Sequence, residues 1–170
     1  MAGSKKNAAK DDFITKLLKQ RDAERKSLKG APMSIHGDEL PLENNPMGLY
    51  KWFLNPFMKD IATRALLVWI QEIPPKSRSG KQKTQGGQVN VVLEGRGYTM
   101  INGVRHDWED NDAIFLPLLP DGVVHQHFNL DSERTAKLLC VEPNLFDPLG
   151  VDKGSGFEQM EDSPDYKPQG

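Results

Sequence analysis

The sequence predicts an all-β protein, an antiparallel sandwich or barrel, with an α-helix near its N-terminal end. Three observations predict this class. Short apolar segments follow one another closely between residues 64 and 141, turn signals such as Asn102-Gly103 separate them, and almost no helical pattern lies between them. Parallel strands need long crossover connections, so closely spaced strands joined by tight turns indicate antiparallel pairing.

The first predicted element is a helix over residues 11–29. Asp11 or Asp12 provides its N-cap, and Gly30 and Pro32 end it. Its apolar stripe covers the first two turns and becomes thin afterwards, so we expect the helix to dock on the barrel or on a partner subunit. The stripe consists of Phe13, Ile14, Leu17, Leu18 and Leu28. This segment is the expected contact for a homodimer or another protein partner.

The helix belongs to a predicted N-terminal arm, residues 1–60. Residues 1–10 are expected to fray, and residues 33–60 are predicted to be irregular because prolines punctuate them. The irregular part carries four aromatic residues, Tyr50, Trp52, Phe53 and Phe57. We expect these rings to lie against an apolar surface.

The β-rich part follows, and a polar tail over residues 149–170 ends the chain. The Asn102-Gly103 pair predicts a type I′ hairpin, since both central residues of that turn need a positive φ. The tail is expected to be flexible. The predicted strands cover residues 64–73, 88–93, 98–101, 104–108, 113–116, 123–129 and 136–141.

Composition argues against several function classes. The 170 residues include 22 Lys and Arg against 24 Asp and Glu, a formal net charge of −2. Basic residues cluster at 5–29 and 76–83, which we interpret as solvated surface. We therefore expect no nucleic-acid partner and no membrane partner.

The single cysteine, Cys140, excludes an internal disulfide framework. It lies in an apolar strand-like run, so we expect a small buried side chain and not a catalytic thiol. No apolar stretch resembles a signal peptide or has the length that spans a bilayer. A cytoplasmic protein is expected.

A motif in the central part of the chain identifies the barrel. Pro120-Asp121-Gly122-Val123-Val124-His125, closed by Asn129, matches the pattern Pro-x-Gly-x-x-His-x-x-x-Asn in full. With this motif, the segment 74–141 resembles the cupin superfamily, and its lead-in is similar to that of gentisate-type ring-cleaving dioxygenases. The resemblance implies a double-stranded antiparallel β-barrel, or jelly roll, over residues 61–148, and a homodimer.

The other cupin motif is degenerate. Gln82 and Thr84 stand at the two histidine places that the resemblance implies, and Gln88 stands at the glutamate place. Of the implied metal ligands, His125 alone is retained. Neutral amide and hydroxyl oxygens are poor ligands for Fe, Mn, Ni or Zn, so a full metal centre is not expected.

A polar cluster is predicted in place of that centre. His125 and His127 are two residues apart on one strand, as are Gln88 and Asn90 on another, so each pair shares a face. Which of the two histidines faces inward stays open, because an insertion before the motif could shift the register. The predicted pocket residues are Gln82, Thr84, Gln88, Asn90, His125 and His127.

Three functions compete on this basis. The first is a barrel that binds a small organic ligand, aromatic or carboxylated, without a full metal centre. The second is a dioxygenase-like metalloenzyme in which His125 and His127 hold a divalent metal weakly. The third is an accessory or scaffold subunit of a larger complex. The sequence assigns no catalytic residue, and whether the protein is an enzyme stays open.

Overall fold

A computed structural model describes residues 12–58, 60–145 and 157–168. The predicted strands all appear, within two residues of their expected bounds. The elements are helix α1 (Phe13–Ser27), a 3-10 turn (Gly37–Glu39), β1 (Glu43–Asn45), β2 (Gly48–Leu54), β3 (Leu66–Ile73), β4 (Lys81–Thr84), β5 (Gln88–Glu94), β6 (Gly97–Ile101), β7 (Val104–Trp108), β8 (Ala113–Leu116), β9 (Val123–Asn129), β10 (Ala136–Pro143) and β11 (Phe157–Glu161).

Helix α1 begins where the sequence predicts. The Asp12 carboxylate accepts a hydrogen bond from the backbone N–H of Thr15 at 2.8 Å, which satisfies a donor of the first turn. The helix buries none of its residues, and Phe13 is 79% exposed. The helix therefore buries no apolar face on the barrel, although Glu24 forms an ion pair with Arg64 at 3.2 Å. Docking on a partner subunit stays a prediction. In the described ranges, no helix is both long and apolar enough to cross a membrane.

Two antiparallel sheets share one hydrophobic core. The larger sheet has the order β1-β2-β3-β10-β5-β8 and the smaller has the order β11-β4-β9-β6-β7. Alternate residues of β3 face inward, from Leu67 to Ile73, and pack with Leu138 of β10 and Trp108 of β7. The described ladders do not join the sheets into a closed ring, so the architecture is a two-sheet jelly roll.

The segment predicted to be irregular contains a regular strand, β2. It pairs with β3, and Tyr50 is 1% exposed while Trp52 packs partly buried against the core. The expected burial of aromatic residues holds for these two, whereas Phe57 is 88% exposed. The prolines that suggested irregular structure lie outside β2, so they do not interrupt its ladder.

Part of the predicted flexible tail is also a strand. β11 pairs with β4, and an ion pair joins Lys81 Nζ to Glu161 at 3.0 Å. Both strands are rich in polar residues, so neither shows the apolar alternation that identified the others. Residues 1–10, expected to fray, and 146–156 lie outside the described residues. The division of the chain into three parts stays a prediction.

The hairpin and the cysteine agree with expectation. Asn102 and Gly103 have φ values of +48° and +83°, as a type I′ turn requires. Cys140 is free and fully buried in the core. Burial raises the pKa of its thiol well above the usual value, so the side chain acts as a small apolar group.

The turn between β5 and β6 provides a test of this packing. Gly95 has a φ of +104°, and a Cβ there would lie 2.9 Å from the Cα of Ala136. Gly87 has a similar φ of +78°, but nothing lies within 4 Å of its added Cβ. We expect Gly95→Ala to lower the free energy of unfolding by about 3 kcal/mol and Gly87→Ala by about 1 kcal/mol, measured by urea denaturation. Equal losses would show that the contact with Ala136 costs nothing.

Candidate functional site

Strands β4, β5 and β9 direct the predicted polar residues into the barrel. Gln82 of β4 pairs directly with His125 of β9 in the ladder. His125 and His127 are 3% and 1% exposed, so both imidazoles face inward. The structure thereby answers the question of register that the sequence left open. Gln88 and Asn90 of β5 are 4% and 0% exposed and lie on the inner face of the other sheet.

A short hydrogen-bond chain fixes the ring of His127. The indole Nε1 of Trp108 donates to Thr99 Oγ1 at 3.0 Å, and that oxygen lies 2.7 Å from His127 Nδ1. Thr99 is fully buried, so the chain is shielded from water. His125 stands beside it, with 5.4 Å between the two ring centroids. The ring of His127 is thus held by a partner that the sequence did not reveal.

Three polar atoms of this cluster have no partner among the described residues. They are Nδ1 of His125, Nε2 of His127 and Nδ2 of Asn90. Gln88 Nε2 donates to Asn90 Oδ1 at 2.6 Å, which satisfies only the oxygen of that amide. A buried polar atom without a partner costs about 1–3 kcal/mol, so this place favours a water molecule or a polar ligand atom.

Burial keeps both imidazoles neutral. Desolvation lowers the pKa of His125 to about 4, and the backbone of Val123 offsets this only in part. Desolvation, together with the charge that His125 would carry, lowers the pKa of His127 well below its usual value. At neutral pH, therefore, the cluster is polar and uncharged.

The donor set does not fit the metal centre that the cupin resemblance implies. Gln82, Thr84 and Gln88 offer neutral oxygens where imidazole and carboxylate are needed. In the part of the chain that the structure describes, no three His, Cys, Asp or Glu side chains come together as a metal site. Two imidazoles without a carboxylate hold a divalent ion weakly, and we derive no chemistry through a metal.

A cavity of about 420 Å³ opens beside this cluster. Gln82, Thr84 and Gln88 line it, as predicted for pocket residues. The other three predicted residues, Asn90, His125 and His127, are buried behind it and do not belong to its described lining. Three of the six predicted pocket residues therefore line the cavity, and the other three are buried residues outside its described lining.

Aromatic rings form one wall of the cavity. Trp52 of β2 and Trp69 of β3 line it, with their ring centroids 5.3 Å apart and their planes at 45°. Tyr50 stacks on Trp69 at 5.7 Å behind them. Phe57, in the loop after β2, lies at the edge. These rings come mostly from the segment that was predicted to be irregular.

One carboxyl group in the lining, that of Glu142, was missed by the sequence analysis. It is partly buried at the end of β10, and desolvation raises its pKa to about 7. A signal existed, because Leu138, Cys140 and Glu142 alternate on one face of the strand. A second acid, Glu43 of β1, also lines the cavity.

Acid stability tests the burial of His125. A proton binds this residue in the unfolded chain near pH 6.5 but in the folded chain only near pH 4, so its contribution to stability is complete above pH 6.5 and lost below it. Between pH 7 and pH 5, we expect the free energy of unfolding to fall by about 2 kcal/mol more in wild type than in His125→Gln.

Chemical denaturation at each pH measures this difference. His106→Gln is the matched control, because His106 lies exposed in β7 and should retain the wild-type pH dependence. Parallel stability curves for wild type and His125→Gln would contradict the stated burial.

Comparisons with known proteins support the fold. A cupin-domain model matches residues 69–142. A cupin-like protein from Thermotoga maritima is 17% identical, with a TM-score of 0.51 over 71% of this chain and 87% of that one. A polyketide cyclase from Streptomyces resistomycificus is 18% identical, with a TM-score of 0.53 over 66% of this chain and 79% of that one.

A curated relative is similar in sequence as well. A 5-aminosalicylate 1,2-dioxygenase from a Comamonas species is 25% identical over 104 residues, which are 61% of this chain. The chain spans 27% of the length of that relative. This match agrees with the predicted similarity to gentisate-type dioxygenases. The family match, the strand order and the structural neighbours together show that this chain has a cupin fold.

Proposed function

We propose that this cupin domain binds a small aromatic molecule in the cavity beside β4 and β5, without a full metal centre. The observation that carries the proposal is a cavity with two tryptophan rings on one wall and three neutral polar side chains on another. Its volume, about 420 Å³, falls in the usual range for small-molecule pockets.

The two walls supply different parts of recognition. Trp52 and Trp69 meet at 45°, so a planar ring can lie on one and place its edge toward the other. Gln82, Thr84 and Gln88 add hydrogen-bonding groups that fix the orientation of a polar substituent. A distant relative is named for 5-aminosalicylate, and the ring of that compound is a group that such walls accommodate.

The aromatic part of the sequence hypothesis has more support than the carboxylated part. The described residues that line the cavity include two acids, Glu43 and Glu142, and neither Lys nor Arg. A carboxylate bound there would have no counter-ion.

Binding of a neutral aromatic probe tests this function. We expect benzyl alcohol to shift the indole N–H signals of Trp52 and Trp69 in two-dimensional NMR spectra and to leave that of Trp108 in place. Phe57→Ala should weaken binding several-fold, because it removes an apolar side chain at the cavity edge.

Phe115→Ala is the matched control. Phe115 is 65% exposed on β8 and does not belong to the described lining, so its removal should leave binding of the probe unchanged. Equal shifts of all three indole signals, or no saturable shift at all, would exclude the cavity as a binding site.

Metal analysis tests the competing metalloenzyme. We expect protein purified without chelator from iron- and manganese-supplemented cells to contain well under one equivalent of Fe, Mn, Ni or Zn, because the donor set lacks carboxylates and a third imidazole. His125→Ala should not change that content. A stoichiometric metal that both His125→Ala and His127→Ala abolish would establish the alternative instead.

A further inference from the structure

We propose that the cavity selects ligands that carry a positive charge beside an aromatic or apolar body, such as a protonated or quaternary amine. This inference rests on the proposed function, because it assigns the charge class of the ligand in the same cavity. Three features carry it, namely the acids of the lining, the environment of Glu142 and the angle between the tryptophan rings.

The charge of the lining is negative. Glu43 and Glu142 both belong to it, and the described lining contains no basic side chain. The Glu43 carboxylate accepts a hydrogen bond from Asn45 Nδ2 at 2.8 Å, so it already has a neutral partner outside the cavity. Glu142 is therefore the carboxyl group that most needs a partner from the ligand.

The environment of Glu142 shows what kind of partner it needs. Desolvation alone raises its pKa to about 7, so no nearby cation offsets the cost of its charge. The side chain stands next to Leu67 across the ladder, which supplies no donor. A ligand cation would restore the charged form and release the proton, whereas a neutral ligand leaves the carboxyl group half protonated at neutral pH.

The aromatic wall favours the same ligand. Trp52 and Trp69 both line the cavity and contact each other, with their ring centroids 5.3 Å apart and their planes at 45°. A cation is attracted to the face of an aromatic ring, most strongly to tryptophan and most strongly where water is excluded. Two indoles and a carboxyl group in the lining of one cavity are the elements of an aromatic cage for ammonium groups.

Few other titratable groups face Glu142. Tyr50 of β2 and Cys140 of β10 interact with it electrostatically, and burial raises the pKa of both well above their usual values, so both stay neutral between pH 6 and pH 8. Glu43 of β1 is the remaining acid of the described lining. A change in cation affinity over this pH range is therefore assigned to Glu142, and the Glu43→Gln variant checks that assignment.

Three benzyl probes of one size separate the possibilities. Benzylamine is a cation between pH 6 and pH 8, benzyl alcohol is neutral, and benzoate is an anion. At pH 8 we expect benzylamine to bind at least about tenfold more tightly than benzyl alcohol, and benzoate to bind more weakly than either. Between pH 8 and pH 6 the affinity for benzylamine should fall by up to about tenfold, as Glu142 becomes protonated, while that for benzyl alcohol stays constant.

Variants of matched shape identify the responsible group. Glu142→Gln should lose the preference for benzylamine and its pH dependence while it retains benzyl alcohol. Glu43→Gln should lower the affinity for benzylamine but retain the pH dependence. Glu109→Gln, at an exposed position outside the described lining, should behave as wild type.

The outcomes distinguish the two proposals. If benzyl alcohol binds and benzylamine binds no better, the charge selection is wrong and the aromatic pocket stands. If benzoate binds best, and more tightly as the pH falls, Glu142 acts as a proton donor to anions and the cation proposal is overturned. If none of the three probes binds, both proposals fail.

Discussion

The register of β10 is the constraint on which the rest of the structure depends. This strand pairs with β3 along its whole length and with β5 on its other side. The two ladders send Ala136, Leu138 and Cys140 inward, where all three are fully buried. A shift by one residue would expose them, so the apolar side chains fix the register. The same register carries Glu142 to the cavity, although a carboxylate gains no stability there.

Desolvation then determines the chemistry of the interior. It holds His125 and His127 neutral, and it moves Glu142 toward its protonated form. All three shifts suppress charge, and they follow from the walls of the barrel and not from any ion pair. The chain from Trp108 through Thr99 to His127 adds rigidity, since each member is buried and has a defined partner. The result is a barrel in which the histidine cluster is neutral and Glu142 is about half protonated at neutral pH.

The limits of the sequence analysis have physical reasons. β3 and β9 were predicted within two residues of their bounds, because a continuous apolar run indicates β3 and the motif that ends at Asn129 indicates β9. β4 and the edge strand β11 were missed because their sequences are polar and leave no such pattern. The polar cluster was predicted from the period of β5 and β9, but its division into lining and supporting residues was not. The tryptophan wall was not predicted either, because the sequence analysis expected no strand at Trp52.

The electrostatics of this cavity are opposite to those of the metal centre that the family motif implies. In such a centre the protein contributes a resident cation, and ligands with negative charge complement it. Here neutral side chains stand at the metal-ligand places, and the charged groups of the lining are the carboxyl groups Glu43 and Glu142. The protein therefore supplies the negative charge and the aromatic rings, and in the proposed function the complementary charge comes from the ligand. On that proposal, the substitutions at the metal-ligand places and the two acids of the lining act together, because both favour a cationic ligand over a resident metal ion.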